Sequence, residues 1–169
     1  MVERARAYRA VVEAIGLLGV IGSLTFVGLE VRGNTIATRA ANDSAVADGF
    51  RDESLAIATS AALGNALVAT QDDPQAASPQ DQMLTLALWR AGFHNWSNAY
   101  RQHLNGTLDP ELWASIVQEI SAYSEKPSAS AGGKPIPRGR VARWAWKSER
   151  FLYSPDFRRF VDKALGMKQ

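Results

Sequence analysis

The chain has 169 residues, no cysteine and a formal net charge of +2. The lack of cysteine excludes a disulfide framework and a thiolate metal site. The charge is unevenly distributed: residues 40–125 hold 3 Lys/Arg against 11 Asp/Glu, whereas residues 134–169 hold 10 Lys/Arg against 3 Asp/Glu. This split predicts either pairing between the two regions or a basic face for an anionic surface.

The first predicted element is a membrane-spanning helix. Residues 14–29 carry no charge, but at about 1.5 Å per residue they are shorter than a hydrocarbon core of about 30 Å. A helix over residues 10–31 is long enough, and it places Glu13 and Glu30 near the two interfaces, where a carboxylate costs less than at the midplane.

This span divides the chain into a basic N-terminal segment (1–9), a transmembrane helix (10–31) and a membrane-extrinsic domain (32–169). The extrinsic part is long enough for one domain with a real core. Two alternatives stay open for the apolar run. It is also typical of a buried core helix in a soluble bundle, or of a cleaved signal peptide whose basic start holds Arg4, Arg6 and Arg9.

Small residues mark one side of the span. Gly16, Gly19 and Ser23 fall near one line on a helix, and Gly22 widens that side. Because apolar burial does not drive association in lipid, close backbone approach at small residues does. We expect this to be a docking face for another membrane helix, the alternative being that glycine is simply common in such helices. The span has no His, Cys or Met to ligate a cofactor.

The rest of the chain is predicted to be helical. An alanine-rich helix continues over residues 31–68, and a loop follows at 71–78. Three later helices begin with an N-cap oxygen, a proline at the first helical position and an acidic residue in the first turn. Their caps are Ser78, Asp109 and Ser154.

The predicted helices cover 79–104, 110–123, 140–152 and 155–165, with glycine stops at Gly106 and Gly166. Residues 125–139 are rich in Pro, Gly and Ser and are predicted to form a surface loop. The expected fold is therefore all-α: one N-terminal transmembrane helix continuing into a small bundle of about four to five further helices.

Four runs of residues are similar, in order and spacing, to a known family: GLEVRGNT at 28–35, NAYRQ at 98–102, GTLDPELW at 106–113 and FLYSPDFRRFVD at 151–162. The chain resembles a broad group of uncharacterised bacterial proteins with one N-terminal membrane helix, an Arg-x-Asn-Thr motif after it and an all-helical tail. The resemblance implies this architecture and a cytoplasmic tail, and it carries no activity. The basic N-terminal segment departs from the group's weakly charged start, and the loop at 125–139 is longer.

No catalytic arrangement is evident. His94 and His103 lie nine residues apart, on opposite sides of one predicted helix, whereas a zinc pair needs a spacing such as i, i+4. Arg90 lies among apolar neighbours and is expected to pair with Glu111 or Glu119. We expect no enzyme activity, no metal and no cofactor.

The C-terminal region interleaves basic and aromatic residues. The interface candidates are Arg138, Arg140, Arg143, Trp144, Trp146, Lys147 and Arg150. Such a mixture suits anionic lipid headgroups, a protein partner or, least of all, a nucleic acid. The alternative is that Trp144 and Phe151 belong to the core while the arginines neutralise the acidic middle region.

These observations lead to two functional hypotheses. The first is a non-catalytic accessory or scaffolding subunit that docks on a larger respiratory, photosynthetic or transport complex of the bacterial inner membrane. Its partners would be other membrane subunits and anionic lipid, with no nucleic acid, and its extrinsic domain would lie in the cytoplasm. The second is a membrane-tethered sensor that holds a small apolar ligand among Trp89, Phe93, Trp96 and Trp113.

Overall fold

A computed structural model describes residues 2–124 and 138–167. In these two ranges the chain forms six α-helices and one 3₁₀ turn, with no strand. The predicted all-α class is confirmed, as are five helices beyond the first. The bounds are α1 Val2–Thr59, α2 Ala61–Ala69, α3 Pro79–Leu104, α4 Pro110–Ala122, α5 Arg138–Glu149, the 3₁₀ turn Arg150–Leu152 and α6 Pro155–Ala164.

Some predictions lie outside the described residues. The predicted loop is not described over residues 125–137. The side chains of Arg138 and of the basic segment 1–9 are not described either. The last two residues of the predicted loop are described, and they belong to α5, which begins at Arg138.

The chain divides into two compact units, residues 1–40 and residues 41–169. The first unit is purely helical and contains the apolar run. Within the described residues, one helical stretch, Ile15–Thr59, is long and apolar enough to cross a membrane, and none of its apolar window is buried. The large apolar side chains between Ile15 and Leu29 are 52–69% exposed.

The predicted helix at 31–68 is wrong in one respect, because it is interrupted at Ser60. This residue adopts an extended backbone (φ −114°, ψ 102°), and its side chain accepts a hydrogen bond from the Leu63 backbone N–H at 3.2 Å. A serine hydroxyl that bonds nearby backbone groups competes with the helical ladder and starts a new helix. The result is a separate short helix, α2.

The three predicted N-caps are confirmed. Side chains of Ser78, Asp109 and Ser154 accept backbone N–H bonds from the first turns of α3, α4 and α6, and each is followed by proline. Gly106 and Gly166 have φ of 68° and 66°. Their left-handed backbone ends α3 and α6 as predicted, because glycine adopts it without steric cost.

Within the second unit, α3 lies at the centre and packs against α2, α4 and α5, while α4 also packs against α6. The core is strongly aromatic, and its largest fully buried side chains are Trp96, Trp146, Phe93 and Phe157. The Phe93 and Trp146 rings meet edge to face with centroids 5.1 Å apart. This packing connects α3 to α5 across the centre of the bundle.

The last part of α1 belongs to this second unit. Val46 is buried in the core, while Asn42 donates to the Thr107 carbonyl at 3.2 Å. The Asp43 carboxylate accepts the Asp109 backbone N–H at 3.0 Å. These bonds attach α1 to the turn between α3 and α4.

Candidate functional site

The small-residue side of the first unit is open. A Cβ atom built on Gly16, Gly19 or Gly22 would meet no atom within 4 Å. The Ser23 hydroxyl donates to the Val20 carbonyl of its own helix at 2.9 Å, so it needs no partner from elsewhere. The small-residue side is therefore a smooth surface that none of the described residues covers. Its role as a docking face stays a prediction.

Two of the basic residues predicted for an interface, Arg140 and Arg143, are bound within the bundle. Arg140 donates to the Asp72 carbonyl at 2.6 Å, in the loop after α2. Arg143 donates to the Tyr123 carbonyl at 2.6 Å, at the C-terminal end of α4. A guanidinium there satisfies an end carbonyl and faces the negative end of the helix dipole. These two arginines connect α5 to neighbouring elements.

The expectation that Trp146 lies on an interaction surface is corrected. Its side chain is fully buried, and its indole N–H donates to the Asp162 carboxylate at 2.8 Å. The same carboxylate accepts a second bond from Arg150. A buried carboxylate requires such partners because desolvation of an unpaired charge is costly. Of the other candidates, Trp144 packs against the core and Lys147 is exposed.

The predicted partner of Arg90 is also corrected. Its guanidinium makes two bonds, at 2.7 and 2.8 Å, to the Glu149 carboxylate, 59 residues away, and neither Glu111 nor Glu119 takes part. This hydrogen-bonded pair raises the pKa of Arg90. Glu149 is only 5% exposed, so the arginine supplies the hydrogen bonds that its buried carboxylate oxygens need.

Tyr153 completes this group. Its hydroxyl donates to the Arg90 carbonyl at 3.4 Å, and burial, followed by the negative charge of Glu149, raises its pKa to about 12. The arrangement ties the end of the 3₁₀ turn to the middle of α3. An open cavity of about 320 Å³ borders Arg90. The side chains of Arg90, Glu149 and Tyr153 bond within the group, which is the geometry of a structural cross-link.

The aromatic residues of the second hypothesis pack on one another. Trp89, Phe93 and Trp96 are each less than 10% exposed and have ring centroids 5.4–6.3 Å apart. Trp113 stacks on His103 with centroids 4.5 Å apart. The rings fill the space in which that hypothesis places a ligand.

The histidines point to no metal centre. His94 lies beside Tyr153, and His103 beside Trp113. Among residues 2–124 and 138–167, no three His, Asp or Glu side chains come close enough to hold one metal ion.

The sequence reasoning did not single out Leu152, which is an exposed residue. Phe151 and Leu152, at the corner between α5 and α6, are 71% and 48% exposed. One interpretation of the sequence placed Trp146 on an interaction surface, and the alternative placed Phe151 in the core. In the structure Trp146 is buried and Phe151 is exposed. The signal that could have found this is Ser154-Pro155, because an N-cap there ends the preceding helix and leaves the residues before it on a turn.

In comparisons with protein-family models, with curated proteins and with solved structures, nothing matches this chain.

Proposed function

We propose that this chain is a non-catalytic accessory subunit, anchored by its N-terminal helix in the bacterial inner membrane, that docks on a larger membrane complex. One observation carries the proposal: a long apolar helix stands fully exposed, with an open glycine side. Leaving its large apolar side chains in water would cost on the order of 10 kcal/mol. Lipid on most sides and a partner helix on the glycine side remove that cost.

The N-terminal helix has small side chains on one side and large ones on the other. At about 100° per residue, Gly16, Gly19 and Ser23 lie within about 60° of one another around the helix, and Gly22 extends the same side. A second helix can approach the backbone closely there, whereas Leu17, Ile21 and Leu24 on the other side keep it away. The larger side chains thus face lipid and the small ones face the partner.

The extrinsic bundle supplies attachment rather than chemistry in this proposal. Its buried charges, Glu149 and Asp162, are each held by a specific arginine that joins different elements. Because their oxygens already accept hydrogen bonds from Arg90, Trp146 and Arg150, these carboxylates serve to hold the bundle together. A respiratory, photosynthetic or transport assembly would supply the activity.

Co-purification tests the docking. The tagged chain is extracted from its own membranes in gentle detergent, and co-migrating proteins are identified by mass spectrometry. We expect stoichiometric membrane subunits with the wild type, and their loss with Gly19→Leu. The matched control, Ile21→Phe, adds bulk on the opposite side and should keep them. A chain that runs alone and intact, or two variants that behave alike, would contradict the proposal.

Thiol labelling tests the cytoplasmic location. The chain has no cysteine, so Ser148→Cys introduces a single exposed thiol on α5. We expect a membrane-impermeant maleimide to label it only after the inner membrane is opened. Labelling in osmotically shocked cells with an intact inner membrane would place the domain on the other side.

A further inference from the structure

The small-residue side of α1 does not end with the apolar run. At about 100° per residue, Glu30 lies within about 20° of both Gly19 and Ser23 around the helix. Asn34 and Ala37, one and two turns further on, lie on the same side, within about 40° of Glu30. All five positions belong to the first unit. The side proposed for docking therefore passes from small residues to a carboxylate and an amide.

This polar continuation is open. An open cavity of about 600 Å³ is lined by Glu30, Val31, Gly33, Asn34 and Ala37, and a Cβ atom built on Gly33 would meet no atom within 4 Å. Within the part of the chain that the structure describes, neither the Glu30 carboxylate nor the Asn34 side-chain amide forms a hydrogen bond or an ion pair. A second backbone can therefore approach here, and it would meet a carboxylate whose oxygens are available to a donor.

The charges of α1 just beyond the apolar run are separated by side. Arg32 and Arg39 are the two basic residues between positions 30 and 40, and both lie about 160–180° from Glu30 around the helix. The small-residue side is therefore acidic there, whereas the opposite side is basic. A helix that covers the small-residue side takes Glu30 out of water. A carboxylate so covered needs a cation, and α1 has none on that side between these positions.

A second copy of this chain does not supply that cation. All copies of an anchored chain have the same orientation in the membrane, so a copy docked through the same side would run parallel to the first. In such a symmetric pair Glu30 would face Glu30. Opposed like charges disfavour association, whereas a Lys or Arg from another protein would pair with the carboxylate as both leave water.

We propose that the partner on the small-residue side is a helix of a different protein, which extends about two turns beyond its apolar stretch and carries a Lys or Arg that faces Glu30. The inference rests on the proposed docking of α1 and adds the chemistry of the partner. Small residues allow the close approach, and Glu30 selects a cationic helix over a second copy of this chain.

Co-purification from native membranes tests the charge requirement. Glu30→Gln should lower the recovery of the co-migrating membrane subunit about fivefold relative to the wild type. The matched control, Arg32→Gln, removes one charge on the opposite side and should leave the recovery unchanged. Glu30→Lys should lower it further, and exchanging the facing Lys or Arg of that subunit for Glu should restore it. Equal recovery with Glu30→Gln and Arg32→Gln, or failure of the exchange to restore recovery, would overturn the inference.

Gly19→Leu separates this inference from the proposed function. Loss of the subunit with Gly19→Leu but not with Glu30→Gln would leave the docking standing and overturn the cationic partner. That is also the result expected if a lipid headgroup amine, rather than a protein side chain, pairs with Glu30. Unchanged recovery in both variants, or loss with Glu30→Gln alone, would overturn the docking and this inference together.

Disulfide trapping tests the choice of a different protein. The chain has no cysteine, so Ala37→Cys introduces a single exposed thiol on the small-residue side. In a parallel pair docked through that side, the two thiols would come within disulfide distance. After oxidation in native membranes we expect no disulfide-linked dimer of the chain. A dimer that forms in high yield and is lost with Gly19→Leu would identify a second copy as the partner and overturn the inference.

Discussion

The indole N–H of Trp146 donates to the Asp162 carboxylate at 2.8 Å, in a place where both residues are almost completely buried. Arg150 binds the other carboxylate oxygen. These two bonds connect α5 and the 3₁₀ turn to α6. Trp146, which the sequence placed on the surface, is therefore a buried residue that holds the last helix.

Removing this carboxylate should destabilise the bundle. Asp162→Ala leaves a buried indole N–H without an acceptor and Arg150 without its counter-ion, so we expect a loss of about 2–4 kcal/mol in the free energy of unfolding. Urea denaturation followed by tryptophan fluorescence measures it. Asp156→Ala, which breaks the exposed pair with Arg159, should cost less than about 1 kcal/mol. Equal losses in the two variants would show that the buried carboxylate contributes no more to stability than the exposed one.

The effects on stability of replacing Arg90 and Glu149 should not be additive. Arg90→Met strands a buried carboxylate, whereas the double variant Arg90→Met/Glu149→Leu removes both charges. Because an unpaired buried charge is worse than an apolar replacement of the pair, the double variant should unfold at a higher urea concentration than the single one. A double variant that is less stable than Arg90→Met would argue against this pairing.

Alkaline pH should weaken the fold through Tyr153. Its pKa in the folded chain, about 12, lies above the ordinary value of 10.0, so folding favours the protonated phenol. This stabilisation is complete below pH 10 and is lost as the pH rises towards 12, with a limit of about 3 kcal/mol. Between pH 9 and about 12, the free energy of unfolding should fall less in Tyr153→Phe than in the wild type. Parallel curves would show that the phenol does not contribute.

Two glycine-to-alanine substitutions should have opposite effects on the stability of the fold. A Cβ atom at Gly139 would lie 2.9 Å from the Tyr123 carbonyl oxygen and 3.2 Å from the Arg143 guanidinium, so Gly139→Ala should destabilise the contact of α5 with the end of α4. At Gly64, in α2, a Cβ atom meets nothing within 4 Å. Gly64→Ala should therefore stabilise by up to about 1 kcal/mol through helix propensity. Thermal unfolding followed by circular dichroism compares the two.

Local signals in the sequence predicted most of the fold. The three cap–proline pairs at Ser78, Asp109 and Ser154 gave helix starts that the structure confirms, because a cap depends only on residues within one turn. Ser60 was missed, since a serine inside an alanine-rich stretch is also compatible with a continuous helix.

Long-range features could not be predicted in this way. The partner of Arg90 lies 59 residues along the chain, and several acids were equally available by helical spacing. The burial of Trp146 and the exposure of Phe151 depend on how α5 is rotated against α3, which composition does not encode. The glycine face could be predicted from the sequence, but the partner proposed to cover it is a separate molecule.

Site-specific photo-crosslinking in native membranes tests whether the glycine face docks on another membrane protein. A photoreactive residue placed at Gly19 should give one discrete adduct with another membrane protein, and the same residue at Ile21, on the opposite side of the helix, should react mainly with lipid. Such a difference would support docking through the glycine face. Absence of a protein adduct at both positions, or equal adducts at both, would contradict it.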